Sequence, residues 1–191
     1  MKRPPKDLSD KLLALAADMD ADGGFLTIDE VAKRADVPRA TLYYYFAGKD
    51  DLLAFYLNAG LARVGSVVAE ASKGEGSVVE RLGNALVAVL VTLAEHPMMC
   101  IELPKATSNI EDFEEVLASM ERVVLSPLRE LLIEGNASGE LDVPDAHTTS
   151  FALVGAVHSV AMMTVVSGAE DDLNAMADAA VSQLVNGFVS P

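Results

Sequence analysis

Tryptophan is absent from this 191-residue chain, cysteine occurs once, histidine three times, and aromatic residues make up only 5%. Each scarcity excludes something. A single cysteine, Cys100, rules out an intrachain disulfide framework and a cysteine-rich zinc site, and three scattered histidines leave little material for a metal cluster. His96 and Cys100 stand four apart, but the intervening Pro97 works against a ligand pair on one helical face. With few aromatics, modest Gly and Pro, and abundant Ala, Leu and Val, the composition disfavours a β-sandwich and favours helices. The expectation is an all-α chain, 51% hydrophobic and long enough to bury a core in one or two small domains. The carboxylates are dispersed and form no acid, base or nucleophile set, so neither an enzyme nor a cofactor is expected. One cysteine is consistent with the cytoplasm.

Positive charge is also scarce: 14 Lys and Arg face 29 Asp and Glu, for a formal net charge of −15. An average this acidic argues against a nucleic-acid partner, but the average conceals an asymmetry. Residues 1–50 hold eight basic and nine acidic side chains, leaving six basic and twenty acidic for residues 51–191. Two parts with different partners are implied. The basic start, Met1-Lys2-Arg3-Pro4-Pro5-Lys6, runs into Asp7, Ser9 and Asp10 and not into an apolar segment, so it reads as a short arm and no secretory signal.

From Ser150 to Ala169 the chain runs twenty residues without Asp, Glu, Lys or Arg, long enough to span a bilayer. The flanks oppose that reading. They are acidic (Asp142, Asp145, Glu170, Asp171, Asp172), no Lys or Arg sets an orientation, and no Trp or Tyr marks an interface. No membrane partner is expected, and the segment is read as a helix buried against other helices or a second chain.

Leu8, Leu12, Leu13, Leu15, Ala16 and Met19 recur at helical spacing until Gly23-Gly24 stops the pattern. Thr27 with Glu30 is a capping-box pair opening a short helix through Val31, Ala32 and Ala35, and Asp36-Val37-Pro38 makes a tight turn into a helix from Arg39 to Phe46. Gly48 precedes a longer helix reaching about Ala71, and Ser77 with Glu80 caps the next, which Pro97 ends. Pro104 predicts a short, irregular segment at 98–107. Ser108 and Glu111 then open a long helix to Glu134, bent at Pro127 and closed by Gly135. After the apolar helix, Asp171 or Asp172 starts a last one bearing Leu173, Met176, Ala177, Ala180, Val181, Leu184 and Phe188 on one face.

Two short helices joined by so tight a turn form a helix-turn-helix pattern, with Val31, Ala32, Val37, Leu42 and Phe46 as the apolar contacts between them. The second helix of such a unit enters the major groove with its N-terminal residues at base edges, which makes Arg39 the candidate for a bidentate guanine contact. Thr41, the tyrosine hydroxyls and Lys49 are candidates for phosphates. Tyr43, Tyr44 and Tyr45 also admit a core reading, and Lys49 that of an ordinary solvated lysine. Three consecutive helical positions span about 200°, however, so at least one tyrosine must lie away from a core claimed by Leu42 and Phe46.

The run Leu26-Thr27-Ile28-Asp29-Glu30-Val31-Ala32, then Val37-Pro38-Arg39-Ala40-Thr41-Leu42-Tyr43-Tyr44-Tyr45-Phe46, then Lys49-Asp50-Asp51-Leu52-Leu53 resembles the DNA-binding domain of TetR-family transcriptional regulators, over about residues 8–56. Beyond it the resemblance is architectural: chain length, a helical remainder, and two final helices of the kind the family uses to dimerise. It implies a helix-turn-helix domain at 1–50 and a helical effector-binding and dimerisation domain at 51–191. Thr27, Thr41, Tyr43, Tyr44, Tyr45 and Lys49 are implied phosphate binders, with Arg39 and Ala40 where the family reads bases. Two departures stand out. Asp36 occupies the place of a usual Gly, and Asp29 lies near the base-reading surface, where an acid opposes phosphate or accepts from cytosine.

Met98, Met99, Phe113, Met120 and Met162, with Met163 nearby, offer flexible apolar lining for an effector pocket, or equally fill an irregular core; His158 is either a satisfied core or interface histidine or a ligand contact. Phe151, Val154, Val157, Ala161, Val181, Leu184 and Phe188 are the expected dimer interface, because the two last helices present more apolar surface than one chain buries. The expected function is that of a homodimeric repressor on a palindromic double-stranded DNA operator, released by a small, largely apolar effector. The alternative is a helical small-molecule-binding protein or enzyme without operator binding.

Overall fold

The computed structural model describes residues 3–16, 26–107, 110–168 and 172–186, and among them the regular structure is helical throughout. In chain order the helices are α1 Lys6–Ala14, α2 Ile28–Arg34, α3 Arg39–Tyr45, α4 Lys49–Ser72, α5 Val78–Ala94, α6 Pro97–Thr107, α7 Ile110–Met120, a π turn at Glu121–Leu125, α8 Ser126–Ser138, α9 Ala146–Ser167 and α10 Leu173–Asn186. Met1, Lys2, Met19, Gly23, Gly24, Ser108, Ala169, Glu170, Asp171 and Phe188, named above, lie outside the described residues. The chain divides into two compact units: Met1–Gly60 with His96–Leu117, and Leu61–Glu95 with Ala118–Pro191.

In the first unit, Leu8 and Leu12 give α1 a buried stripe. Both capping-box bonds open α2: the Glu30 amide donates to Thr27 Oγ1 at 3.3 Å and the Thr27 amide to Glu30 Oε2 at 2.8 Å. Asp36 takes the left-handed backbone the turn demands, at φ 51°, and the Val37 amide donates to the Ala32 carbonyl at 3.0 Å. Leu42 and Phe46 of the next helix are then fully buried with Val31 and Ala32. Phe46 meets Phe55 edge-on at 5.6 Å, and the buried Tyr56 hydroxyl donates to the Leu12 carbonyl at 2.8 Å, tying α4 to α1. The segment expected to be irregular is a full helix, α6: Pro97 takes its first position, and Pro104 sits in the last turn with its ring exposed, where the helix is about to end.

In the second unit, α5 is the central element, burying Leu82, Leu86, Val89 and Leu90 against α8, α9 and α10. The long helix expected from Ser108 to Glu134 is interrupted differently from the expectation. Phe113 breaks helical geometry (φ −119°, ψ 22°), and the widened π turn lies just before Pro127, which becomes a first-turn residue of α8 and not a bend within it. Gly135 does not close α8. It lies in the helix interior, where a Cβ would come within 2.4 Å of the Leu141 side chain, and the left-handed cap is Gly139 at φ 78°. Beyond it, the Asn136 amide group both donates to and accepts from the Val143 backbone at 2.7 and 2.9 Å. Two described helices, α4 and α9, are long and apolar enough to cross a bilayer by length and composition. One face of α9 (Thr149, Ser150, Leu153, Val157, Ala161) is buried within the protein, and Phe151, Met163 and Val166 are exposed.

Candidate nucleic-acid interface

Buried Leu42 and Phe46 fix which way α3 faces, so the rest of its surface points outward. Arg39, Ala40, Tyr43 and Tyr44 are exposed, and Thr41 and Tyr45 are half-buried. The tyrosine run therefore does not belong to the core as a set. Tyr43 and Tyr44 are 50% and 60% exposed, and the rings of Tyr44 and Tyr45 meet edge-on at 4.9 Å.

Thr27 at the head of α2, Tyr43 on α3 and Lys49 at the head of α4 come together, with Ile28, Asp29 and Gly48, around a cleft of about 220 Å³. Three of the expected phosphate contacts thus share one concavity. The long α4 adds the positive end of its dipole there, although Asp51 accepts from the Ala47 amide at 2.8 Å just beside it. The Thr27 hydroxyl is already engaged, because it donates to Glu30 Oε2 at 2.7 Å while accepting from the Glu30 amide. The hydroxyl and the backbone amide of Thr27, both donating to Glu30 Oε2, hold the Glu30 carboxyl below the usual carboxylate range.

Arg39 does not extend alone into solvent. Its Nη2 lies 2.6 Å from Asp29 Oδ2, across the turn, with the two side chains 65% and 48% exposed. Sequence reasoning flagged Asp29 as an acid near the reading surface and missed its pairing. The available signal was that Asp29 and Arg39 both stand in first turns of helices joined by a tight turn.

The other expected residues separate by unit. Met98, Met99 and Phe113 are buried in the first, where the Met99 sulfur would lie 2.6 Å from a Cβ placed on Gly60. Met120, His158 and Met162 are half-buried in the second. An open groove of about 540 Å³ between α5 and α10 is lined by Val79, Val87, Val181, Val185, Glu75, Glu80 and Asp178 among others, and by none of those six. Of the expected dimer residues, Val157, Ala161 and Val181 are buried within the chain itself. Val154 and Leu184 are half-buried and Phe151 is exposed. A helix apolar all round does not announce in its sequence which face turns inward. Cys100 is fully buried, and burial pushes its thiol up to about 11, which opposes a reactive role. Among the described residues no group of three or more His, Cys, Asp or Glu is placed to hold a metal.

A helix-turn-helix presenting an arginine, tyrosines and a lysine on one surface, at the head of an otherwise acidic helical chain, is the make-up of a helix-turn-helix regulator. Residues 12–54 match the family model for bacterial regulatory proteins of the tetR family, and residues 75–187 match that for the tetracyclin repressor-like C-terminal domain. The chain belongs to the TetR family of transcriptional regulators, which are DNA-binding proteins and not enzymes. It is 28% identical over 130 residues to the HTH-type transcriptional regulator YhgD of Bacillus subtilis, covering 67% of this chain and 68% of that one. Among solved structures it is similar to the transcriptional regulator FadR of Bacillus subtilis in complex with stearoyl-CoA, with a TM-score of 0.76, 21% identity, and 93% and 98% of the two chains covered. The fatty acid degradation regulator FadR of Bacillus halodurans gives 0.76 at 23% identity with the same coverage. The ketosteroid transcriptional regulator KstR2 of Mycobacterium tuberculosis gives 0.70 at 16%, covering 100% and 99%.

Proposed function

We propose that this regulator is a cytoplasmic homodimeric repressor that binds a palindromic operator and leaves it when a small, largely apolar effector binds. The observation that carries the operator reading is the outward face of α3. Arg39 and Ala40 stand at its head for base edges, and Thr27, Thr41, Tyr43, Tyr44, Tyr45 and Lys49 surround it for phosphates. DNA reading is assigned to residues 1–50, and effector binding and pairing to residues 51–191. No membrane partner enters this reading. Pairing is assigned to the outward side of α9, where Phe151, Met163 and Val166 are exposed and Val154 is half-buried, with Leu184 of α10 as a further candidate.

For the effector the candidate contacts form two separate sets, Met98, Met99 and Phe113 within the first unit and Met120, His158 and Met162 within the second, each considered by itself, since thioethers adapt to varied apolar shapes. The FadR relative was solved with stearoyl-CoA, which supports screening acyl thioesters first.

The test is to pass genomic fragments over the purified protein, sequence those retained, and measure their binding against salt. Enrichment of an inverted repeat bound with steep salt dependence is the expected outcome, because neutralising phosphates releases counterions. Retention of no fragment would refute the reading.

A further inference from the structure

We propose that Asp29 is a positioning residue that aims Arg39 at a guanine and withholds it from the DNA backbone, making the pair the specificity determinant of the reading head. The proposal rests on the assignment of α3 to the major groove. The pair spans two helices whose spacing is fixed locally. Asp36 holds the turn in its left-handed conformation, the Val37 amide bonds the Ala32 carbonyl at 3.0 Å, and Val31, Ala32 and Leu42 are buried beneath. Asp29 is thus carried on a rigid element, and its contact of 2.6 Å restricts where the guanidinium can go.

The chemistry of the guanidinium gives that restriction a function. Arginine has five N–H donors, of which one Asp29 oxygen takes a single Nη2 hydrogen, leaving enough for the parallel pair that guanine O6 and N7 accept. A phosphate accepts from the same donors, so an unrestrained arginine at this place would serve any sequence. Asp29 distinguishes the two. Its negative charge repels a phosphate brought to Arg39, whereas a guanine edge is neutral and tolerates the neighbouring carboxylate. As an exposed ion pair, Asp29–Arg39 contributes little to the stability of the free protein. Its effect belongs to the complex, where base edges and phosphates compete for the guanidinium. The acid that stands out as a departure on a phosphate-binding surface thereby acquires a role.

The test uses the full chain and duplexes selected by it from a random double-stranded library. Wild type, Asp29→Ala, Asp29→Asn and Arg39→Ala are each titrated with the selected duplex, with that duplex carrying single replacements of each half-site guanine, and with a scrambled duplex. Arg39→Ala should lose a preference of between about 5- and 100-fold at one position per half-site. Asp29→Ala should weaken the preference at that same position by at least about threefold, while binding the scrambled duplex more tightly. The salt slope on the scrambled duplex should steepen by about one, the signature of a freed arginine reaching phosphate. Asp29→Asn keeps an oxygen that accepts from Arg39 but no charge, so it should retain more of the base preference and still bind the scrambled duplex more tightly. A simple loss of fold would weaken all duplexes together and cannot imitate these opposite changes. If Asp29→Ala misfolds, Asp29→Asn decides alone: wild-type affinity for the scrambled duplex would overturn the proposal. An unchanged preference in folded Asp29→Ala overturns it as well, and the reading of α3 survives provided Arg39→Ala loses its preference. If Arg39→Ala also keeps every base preference, both fall.

Discussion

Val157 and Phe151 lie on the same apolar helix, six residues apart, and the structure assigns them opposite fates. Val157 is fully buried, packed in the second unit's core, whereas Phe151 is 45% exposed. Replacing each by glutamate separates folding from pairing. In Val157→Glu the carboxylate finds no Lys or Arg on α9, whose residues run from Ala146 to Ser167. An uncompensated buried charge costs about 3–5 kcal/mol, and the lost methyl packing adds to that. Against a total stability of about 5–15 kcal/mol, this substitution alone removes a large share of the folding free energy. In Phe151→Glu the new charge reaches water, so the single protomer should keep its stability within about 0.5 kcal/mol, and the self-association proposed for this face should weaken. Circular dichroism melts and sedimentation velocity, run on both variants at matched concentration, read the two effects separately. The reasoning predicts a strongly lowered or absent melt for Val157→Glu, and a folded, dissociated Phe151→Glu. A Val157→Glu protein that melts like wild type and sediments as a monomer would show that this residue faces a partner and that the inward face of α9 has been misassigned.

Three further outcomes follow from single contacts. Tyr56→Phe deletes the buried hydroxyl that donates to the Leu12 carbonyl, which keeps the Leu15 amide as its other donor at 3.0 Å; a loss of about 0.5–1.5 kcal/mol should appear in urea melts, and an unchanged midpoint would mean that α1 docks without this bond. Glu30, Glu80 and Asp145 have carboxyls held below their ordinary values by helix-capping bonds, so the stability they add is present at neutral pH and is lost as pH falls through those lowered values. Melting temperature should therefore drop in acid, and Glu30→Gln/Glu80→Gln should flatten part of that drop; an equally steep drop in the double variant would assign it to other groups. Lys49→Ala should weaken binding to all duplexes alike and reduce the salt slope by about one, and an unchanged slope would remove Lys49 from the phosphate contacts.

The helix-turn-helix was legible because its signals are local and redundant. Thr27 and Glu30 specify one helix start, Asp36 supplies the left-handed turn, and Leu42 with Phe46 sets the buried face, leaving Tyr43 and Tyr44 outside. The rest of the chain lacks such redundancy. In α9 every rotation buries apolar side chains, so the packing of α5, α8, α10 and the π turn against it decides that Val157 and Ala161 turn inward. Gly135 and Gly139 are both plausible helix stops four residues apart, and the choice was made by Leu141, which needs the space a missing Cβ leaves at Gly135. The Asp29–Arg39 pair joins residues ten apart whose proximity depends on the angle between two helices, a quantity that no periodicity encodes.

The π turn at Glu121–Leu125 has a consequence for how this chain can drift in length. Ser119 and Leu131 are both buried and twelve residues apart, which in an uninterrupted α-helix would set them about 120° from each other. The widened turn absorbs one residue's rotation and brings them to within about 20°, so residues before and after it share one inward side. A relative lacking one residue between 121 and 125 could close the turn into ordinary helix and keep that alignment. A deletion within α8 between Leu128 and Leu131 would instead swing the residues beyond it by about 100°, lifting Leu131 and Leu132 out of the core. Length variation among related chains should therefore collect at this turn and be purged from the helix that follows it.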